Sequence, residues 1–325
     1  MRRRVKGTVA VLLTLVLAFG LLAGCDRNPA EEPNNILDPI TMIVDKAIAD
    51  YTMEPYWKDT GLELLDLVKD EEGYTLLAQD GGETYQIKLD RQFQEQSRTE
   101  TALPNTSRVL ASKKGEFAYA KNEAGLFDLY KDGEPYLAVG GEAGGDCQML
   151  FSGGRLFTYA HGRLFCNEQE IAWKEVLSDP QFSSHDELVT PVGLAEREHQ
   201  VFAIVCNQSE ELGLNYNVYY PVNPKTGALQ LEGSLSSSLS GRWFSSKDDR
   251  IYVADGSGLI YVVQEVDNNE LRTTEQAFLD MTEESLPWNN LRQMIVLSDR
   301  RVLLLFSDRL IEVTPVFSPN SSGET

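Results

Sequence analysis

Residues 148–173 read QMLFSGGRLFTYAHGRLFCNEQEIAW and contain short apolar runs separated by glycine-containing turns. The turns fall at residues 152–154 (SGG) and 161–162 (HG). Glycine reaches the positive φ angles that tight hairpins need, and short apolar runs bounded by turn residues favour strands. This stretch therefore predicts a small antiparallel sheet.

Units of the same kind recur on both sides of this stretch. Each unit has an apolar strand, a tight polar turn, a second strand, and then a further turn and strand. The units cover residues 62–89, 108–139, 148–173, 188–231, 243–277 and 294–316.

A period near forty residues with three or four strands per unit is typical of β-propeller blades. One small sheet cannot bury both of its faces alone, whereas sheets stacked in a ring cover one another. The sequence predicts an all-β fold, a β-propeller of six or seven irregular blades over residues 61–316. A pair of β-sandwiches or barrels is the alternative, because their strands also recur at short spacing.

One amphipathic helix is expected before the propeller, within a helix-and-connector segment at residues 38–60. Asp38 is a suitable N-cap and Pro39 suits the first helical turn. We expect the helix to pack on its own domain, although it could also dock a partner. Its apolar stripe, at helical spacing, is Ile40, Ile43, Val44, Ala47, Ile48 and Tyr51.

The N-terminus has the features of an export signal. Four basic residues within positions 2–6 precede an apolar run at residues 9–22, which is shorter than the roughly 20 residues of a membrane-spanning helix. The run ends in Leu22, Ala23, Gly24 and Cys25. These four residues resemble the lipobox of bacterial lipoproteins; the alternative is an ordinary secretory signal with an incidental cysteine.

The lipobox resemblance implies cleavage between Gly24 and Cys25, which makes residues 1–24 a signal peptide. It also implies that the Cys25 thiol carries a diacylglyceryl group, with palmitate-type acyl chains, that anchors the protein in the bilayer. Two acyl chains suffice for stable anchoring. We then expect residues 25–37 to be a flexible tether and the protein to face the extracytoplasmic side; whether it sits at an inner or an outer membrane stays open.

Charge limits the possible partners. The chain has 29 Lys and Arg against 50 Asp and Glu, a net charge of −21. Residues 1–24 contain four of the basic residues and no acidic ones, so the mature chain has 25 against 50, a charge of −25. So acidic a protein repels nucleic acid and anionic headgroups. We expect no nucleic-acid partner and a monomer whose membrane contact is the lipid on Cys25.

The sequence shows no catalytic motif, and we expect neither an enzyme nor a cofactor or metal site. The three histidines, His161, His185 and His199, all lie in turn or loop segments. Cys147, Cys166 and Cys206 lie in apolar runs and are expected to be buried free thiols, with one disulfide plus a leftover thiol as the alternative. The sequence leaves open a pair of carboxylates of the glycosidase type, because the two residues of such a pair need to meet only in the folded structure.

Aromatic residues beside amides provide the one hint of a binding surface, for an unknown protein or carbohydrate ligand. Rings next to amides suit sugar stacking or peptide contacts, and the alternative is that the rings seal contacts between blades. The candidate ligand-facing aromatics are Trp57, Tyr219, Tyr220 and Trp288.

The lipobox, the acidic tether and irregular repeats such as residues 154–159 (GRLFTY) and 249–258 (DRIYVADGSG) resemble the N-terminal propeller portion of large extracellular solute-binding lipoproteins. The resemblance implies a non-catalytic ligand- or protein-binding propeller associated with solute uptake. This chain ends at Thr325 without a binding-protein half, so a split or truncated gene stays open, and residues 317–325 are expected to be a disordered tail. A glycan-active enzyme and an envelope-assembly scaffold are the alternatives.

Overall fold

The computed structural model describes most of the chain from residue 48 to residue 316. The signal peptide, the lipobox with Cys25, the tether, most of the expected helix and the tail from residue 317 lie outside the described residues. The described residues are 48, 50–70, 72–142, 147–173, 187–197, 199–209, 214–231, 235–237, 241–245, 250–266, 270–273 and 277–316.

The described strands form six antiparallel sheets, which we call blades 1 to 6. In blades 1 to 3, four strands follow one another in chain order from the innermost to the outermost. Blade 1 has β2 (Glu63–Lys69), β3 (Tyr74–Asp80), β4 (Glu83–Leu89) and β5 (Glu95–Glu100); blade 2 has β6 (Arg108–Ser112), β7 (Gly115–Lys121), β8 (Phe127–Lys131) and β9 (Glu134–Gly141); blade 3 has β10 (Cys147–Ser152), β11 (Arg155–Ala160), β12 (Arg163–Cys166) and β13 (Gln169–Glu170).

Blades 4 to 6 follow the same plan with additions, since blade 5 gains a short fifth strand and blade 6 borrows β1 from the start of the propeller. Blade 4 has β14 (Glu187–Arg197), β15 (Gln200–Ser209), β16 (Leu214–Pro221) and β17 (Leu235–Ser237); blade 5 has β18 (Arg242–Ser245), β19 (Ile251–Ala254), β20 (Leu259–Val266), β21 (Glu270–Thr273) and β22 (Leu279–Asp280); blade 6 has β23 (Leu291–Val296), β24 (Val302–Phe306), β25 (Leu310–Pro315) and β1 (Tyr51–Tyr56). A 3-10 helix, Trp288–Asn290, precedes β23.

The outermost strand of blade 6 comes from the other end of the propeller sequence. β1 pairs with β25 in an antiparallel register from Tyr51 opposite Pro315 to Tyr56 opposite Leu310. This pairing joins the two ends of the ring and covers the edge that β25 would otherwise expose. The fold is therefore the propeller expected from the sequence, with six blades.

The apolar runs are nearly continuous because each blade is covered on both faces. In β24, Leu303 and Leu305 pack on blade 1, whereas Leu304 and Phe306, which point the opposite way, pack on blade 5. Successive residues of a strand face opposite sides of the sheet, so a strand between two neighbours must be apolar at every position.

The structure revises the sequence expectation for the segment before the propeller. Ile48 and Tyr51, the last two members of the expected helical stripe, are in extended pairing: Ile48 forms a parallel bridge with Leu279, and Tyr51 begins β1. The pairing with blades 5 and 6 outweighs the helical periodicity here. Residues 51–56, assigned to a connector, thus form a blade strand, and the rest of the expected helix lies outside the described residues.

Candidate ligand-binding site

Three of the four aromatic residues proposed to face a ligand, Tyr219, Tyr220 and Trp288, are buried inside the protein. Tyr219 is 0% exposed and accepts a hydrogen bond from Trp243 Nε1 at 2.9 Å, at the junction of blades 4 and 5. Tyr220, the next residue, points to the junction of blades 3 and 4. Trp288 packs edge-to-face on Phe306, and half-buried Trp57 donates from Nε1 to the Phe93 carbonyl at 3.0 Å. The rings of Tyr219, Tyr220 and Trp288 therefore seal blade contacts, which corrects their assignment to a ligand surface, whereas that of partly exposed Trp57 stays a prediction.

The two described histidines have local structural roles. His161 Nε2 lies 2.9 Å from the Tyr119 hydroxyl, so this turn residue links blade 3 to blade 2. His199 occupies the turn between β14 and β15 with a φ of 62°. His185 lies outside the described residues.

The three described cysteines are free thiols, Cys147 and Cys166 fully buried and Cys206 partly so. Burial raises the pKa of the Cys147 thiol to about 12, and burial also raises the pKa of Cys206. A thiol needs its thiolate form to act as a nucleophile, and both groups stay protonated near neutral pH.

The innermost strands of the six blades surround a central cavity of about 260 Å³. Each blade contributes residues from its first strand, as expected where six sheets meet around an axis. The polar side chains in this cavity include Asp66, Lys69, Arg108, Gln148 and Gln293.

A second cavity of about 400 Å³, which we call the mouth pocket, lies where several inner strands begin. Arg108, Cys147 and Arg242 are the first residues of β6, β10 and β18, and Arg292 is the second of β23. The topology brings these strand starts together at one end of the axis, although they are far apart in sequence. The other polar lining residues are Gln148, Tyr159, Gln208 and Asn217.

Arg108 crosses between blades at the floor of the mouth pocket. Its guanidinium forms a 2.9 Å ion pair with Asp66 of blade 1 and donates to the Arg292 carbonyl of blade 6 at 3.2 Å. The side chains of Arg108 and Asp66 are only 13% and 6% exposed, so the pair is held in a site largely removed from water. Arg108 therefore fixes the relative positions of three blades.

Gln148 of blade 3 also links three blades, on the opposite side of the ring from Arg108. Its Nε2 donates to the Trp243 carbonyl of blade 5 at 3.3 Å, and its Oε1 accepts from the Leu194 amide of blade 4 at 2.6 Å. Gly193 permits this approach, because a Cβ at that position would lie 2.9 Å from Gln148 Oε1.

Arg242 and Arg292 complete the positive end of the mouth pocket. Arg242 donates to the Leu291 carbonyl, which ties blade 5 to blade 6. Arg292 Nη2 lies 3.2 Å from Glu63 Oε1, and its Nε is buried without a hydrogen-bond partner.

Blade 4 forms a wall of the mouth pocket because its inner strands are longer than those of the other blades. β14 has 11 residues and β15 has 10, and a bulge between Pro191 and Gly193 bends β14. Val192, Gln208 and Asn217 line the pocket from these strands and β16. The pocket is therefore asymmetric, with a charged floor and a wall of apolar and amide side chains.

Charge distinguishes the mouth pocket from the rest of the protein. Its lining contains three arginines, and no lining residue among those the structure describes is acidic. The whole chain has a net charge of −21, so the sign of this lining is opposite to that of the chain as a whole, with Arg108 and Arg292 paired to Asp66 and Glu63 outside the lining. A concave site of one sign focuses the electrostatic field and raises the local concentration of opposite charge.

Sequence reasoning missed the mouth pocket, although one signal was available. Arg108 and Arg242 each stand at the start of an inner strand, where a charged residue interrupts an otherwise apolar unit. Their convergence depends on ring closure and blade order, which a strand pattern alone does not fix.

The part of the chain that the structure describes shows neither a metal-binding cluster nor a membrane-spanning helix. No group of three or more His, Cys, Asp or Glu residues is placed to hold a metal ion. No described helix has the length and apolar character needed to cross a bilayer.

No protein-family model matches the sequence, and no curated protein matches it either. Among solved structures, streptogramin B lyase is 8% identical with a TM-score of 0.44, over 83% of this chain and 99% of that one. The extracellular domain of a one-component system from B. thetaiotaomicron is 11% identical with a TM-score of 0.47, over 84% and 40%. The PQQ domain of pyranose dehydrogenase from Coprinopsis cinerea is 10% identical with a TM-score of 0.42, over 83% and 96%. These likenesses concern the fold alone, and the fold assignment rests on the strand pairing described above.

Proposed function

We propose that this protein is a lipid-anchored extracytoplasmic lipoprotein whose propeller is a non-catalytic ligand- or protein-binding module acting beside a solute-uptake system. The mouth pocket is the observation that carries the binding role. Its volume of about 400 Å³ lies in the range of small-molecule sites, and its lining combines charged, amide and aromatic groups. The anchoring role rests on the lipobox at residues 22–25.

The chemistry of the pocket supports binding without turnover. Cys147 and Cys206 both line it, and both have raised pKa values that keep the thiols protonated. Neither described histidine lines it, so among the described residues no imidazole base adjoins a nucleophile there. Asp66, the carboxylate in the central cavity, is held in an ion pair with Arg108. These groups bind and orient, whereas hydrolysis needs an activated nucleophile or a free acid–base pair.

Anchoring is tested by labelling with an alkyne-tagged fatty acid in a bacterial host. We expect Cys25 to take up the label and the full chain to partition into detergent, and Cys25→Ser to lose both properties. Cys206→Ser is the matched control and should keep the label. Labelling that survives Cys25→Ser would contradict the anchoring proposal.

Binding at the mouth pocket is tested with a pocket-filling variant. Gln208 is exposed on the pocket wall, so Gln208→Trp should fill the pocket with little effect on the fold. Gln96→Trp, on the exposed strand β5, is the matched control. We expect ligands found by thermal shift in a panel of sugars, sugar acids and short peptides to lose binding in Gln208→Trp alone. Turnover of polysaccharides that is lost in Asp66→Asn would instead favour a glycan-active enzyme.

A further inference from the structure

We infer that the mouth pocket recognises a small hydroxylated oxyanion, a carboxylate or phosphate bound by Arg242 and Arg292. This inference rests on the proposed binding role and adds the chemical class of the ligand. Both arginines line the pocket at the starts of neighbouring inner strands, in blades 5 and 6.

The charge of the mouth pocket favours an anionic ligand. Three arginines line the mouth pocket, and no lining residue among those described is acidic. The whole chain, by contrast, has a net charge of −21. A protein of this charge repels anions over most of its surface, so a local cationic cavity is the place where an anion can approach. Guanidinium groups match the planar geometry of carboxylate and phosphate oxygens through paired N–H donors.

Arg108 and Arg292 differ in how many of their N–H donors the protein already uses. Arg108 has its donors directed to Asp66, to the Leu65 carbonyl and to the Arg292 carbonyl, so it serves as the floor. Arg292 is different, because its Nε is buried without a hydrogen-bond partner. Buried donors are nearly always satisfied, so the Arg292 guanidinium keeps an unused donor, whereas no buried donor of Arg108 is unused.

Arg292 already binds a carboxylate of the protein itself. Glu63 lies 3.2 Å from Arg292 Nη2, and its side chain is 50% exposed. An exposed ion pair of this kind is weak and is readily exchanged for another carboxylate. Glu63 therefore competes with the ligand for Arg292, and its removal should increase the affinity for oxyanions.

The rest of the lining favours a hydroxylated ligand body. Tyr159, Gln208 and Asn217 place hydroxyl and amide groups on the wall beside the arginines, and Trp243 adds a ring to the lining. Amides and hydroxyls can donate to and accept from sugar-type hydroxyls. A compound with one oxyanion and several hydroxyls satisfies both the arginines and this wall.

The inference is tested by calorimetry on the full chain in nonionic detergent at low salt. The acidic probes are glucuronate, galacturonate, citrate, glucose 6-phosphate and inorganic phosphate, and the neutral probes are glucose and galactose. We expect one-site saturation by at least one acidic probe, weakened by salt, and none by its neutral counterpart. Saturation by phosphate alone points to free phosphate, and saturation by a sugar acid points to a carboxylate ligand.

Variants then locate the bound anion. We expect Arg242→Gln and Arg292→Gln each to weaken binding about tenfold or more, because each removes a charge-assisted contact. Arg98→Gln, an arginine paired with Glu95 on exposed β5, is the matched control and should leave affinity unchanged. Glu63→Gln should tighten binding several-fold, whereas Glu95→Gln should not.

The remaining outcomes separate the two proposals. Neutral probes that bind as well as acidic ones, with unchanged affinity in both arginine variants, overturn the oxyanion inference and leave the binding module standing. Acidic probes that bind to Arg242→Gln and Arg292→Gln as tightly as to the wild type overturn it too. Conversion of any probe to product overturns the non-catalytic function itself, and a failure of every probe and of the wider ligand panel overturns both.

Discussion

The junction between blades 5 and 6 and the junction between blades 1 and 2 hold the ring together by different means. Blades 5 and 6 share a large apolar cluster that includes Tyr252, Phe278 and Phe306, each 2% exposed or less. Blades 1 and 2 are joined by polar contacts, chiefly the 2.9 Å pair of Arg108 with Asp66 and the 3.1 Å bond from Gln79 Nε2 to Asn105 Oδ1. The five large apolar clusters of the described residues lie at the five junctions other than that between blades 1 and 2.

The difference teaches that ring closure does not require equal junctions. Apolar burial is non-directional, so the cluster between blades 5 and 6 tolerates small shifts in blade angle. The Arg108–Asp66 pair is also a hydrogen bond, which has a preferred direction, so we expect this contact to constrain the angle between blades 1 and 2. The same arginine forms the floor of the mouth pocket, which means that the polar junction also shapes the binding site.

The largest effect is expected on the apolar side. Phe306 is fully buried in the cluster between blades 5 and 6, with its ring 5.7 Å from that of Trp288. Phe306→Ala removes this packing and leaves a cavity, so the free energy of unfolding should fall by about 3–5 kcal/mol. Urea denaturation followed by tryptophan fluorescence measures the change. Leu126→Ala, at an exposed leucine, should change stability by less than about 0.5 kcal/mol. Equal losses in the two variants would contradict the comparison.

The next effect concerns the polar junction. Asp66→Ala leaves Arg108 in a largely buried place without its carboxylate, and the free energy of unfolding should fall by about 3 kcal/mol. The double variant Asp66→Leu with Arg108→Met replaces the pair by apolar side chains. We expect it to recover most of the loss in the same urea measurement, because such replacements are often neutral or stabilising. A double variant no more stable than Asp66→Ala would show that the charges themselves are required.

The sequence predicted the ring well because its signals are local. The six expected units correspond in order to the six blades, since each hairpin turn, such as that at residues 152–154, is specified by neighbouring residues. β5 (Glu95–Glu100) was missed because every residue in it is exposed and polar, so it has no apolar periodicity. β1 was missed because its partner, β25, lies more than 250 residues away along the chain.

The site was harder to predict than the ring. Tyr219 and Tyr220 follow Asn217 closely in sequence, but strand alternation sends them to opposite faces of blade 4, into two different junctions. Arg108, Arg242 and Arg292 lie far apart in the sequence and meet only after the ring closes. Local pattern therefore predicts the blades, and global geometry decides what lies at the axis.

A smaller effect, dependent on pH, is expected where β1 closes blade 6. Burial and the Glu284 carboxylate raise the pKa of Tyr51 to about 12, and burial likewise raises the pKa of Tyr56. A phenol with a folded-state pKa above its unfolded value of about 10 stabilises the fold fully below pH 10, and this contribution is lost as the pH rises toward 12.

Urea midpoints measured between about pH 8 and pH 12 check this expectation against the unfolded-state value of tyrosine. Wild type should lose more stability over that range than the double variant Tyr51→Phe with Tyr56→Phe. The urea midpoints of the two proteins should change in parallel at the lower end of the range. Identical slopes throughout would mean that these hydroxyls do not help to hold β1.

The smallest effect is expected at the outer rim of the polar junction. Gln86 Nε2 lies 3.4 Å from both carboxylate oxygens of Glu116, and both side chains are accessible to water. Water replaces a bond of this length and exposure at little cost, so Gln86→Ala should change the free energy of unfolding by less than about 0.5 kcal/mol. Gln79→Ala, which removes the shorter and partly buried bond to Asn105, provides the graded comparison and should cost more. If Gln86→Ala cost as much as Asp66→Ala, the junction would be held across its whole width, and Arg108 would lose its special place in setting the angle between blades 1 and 2.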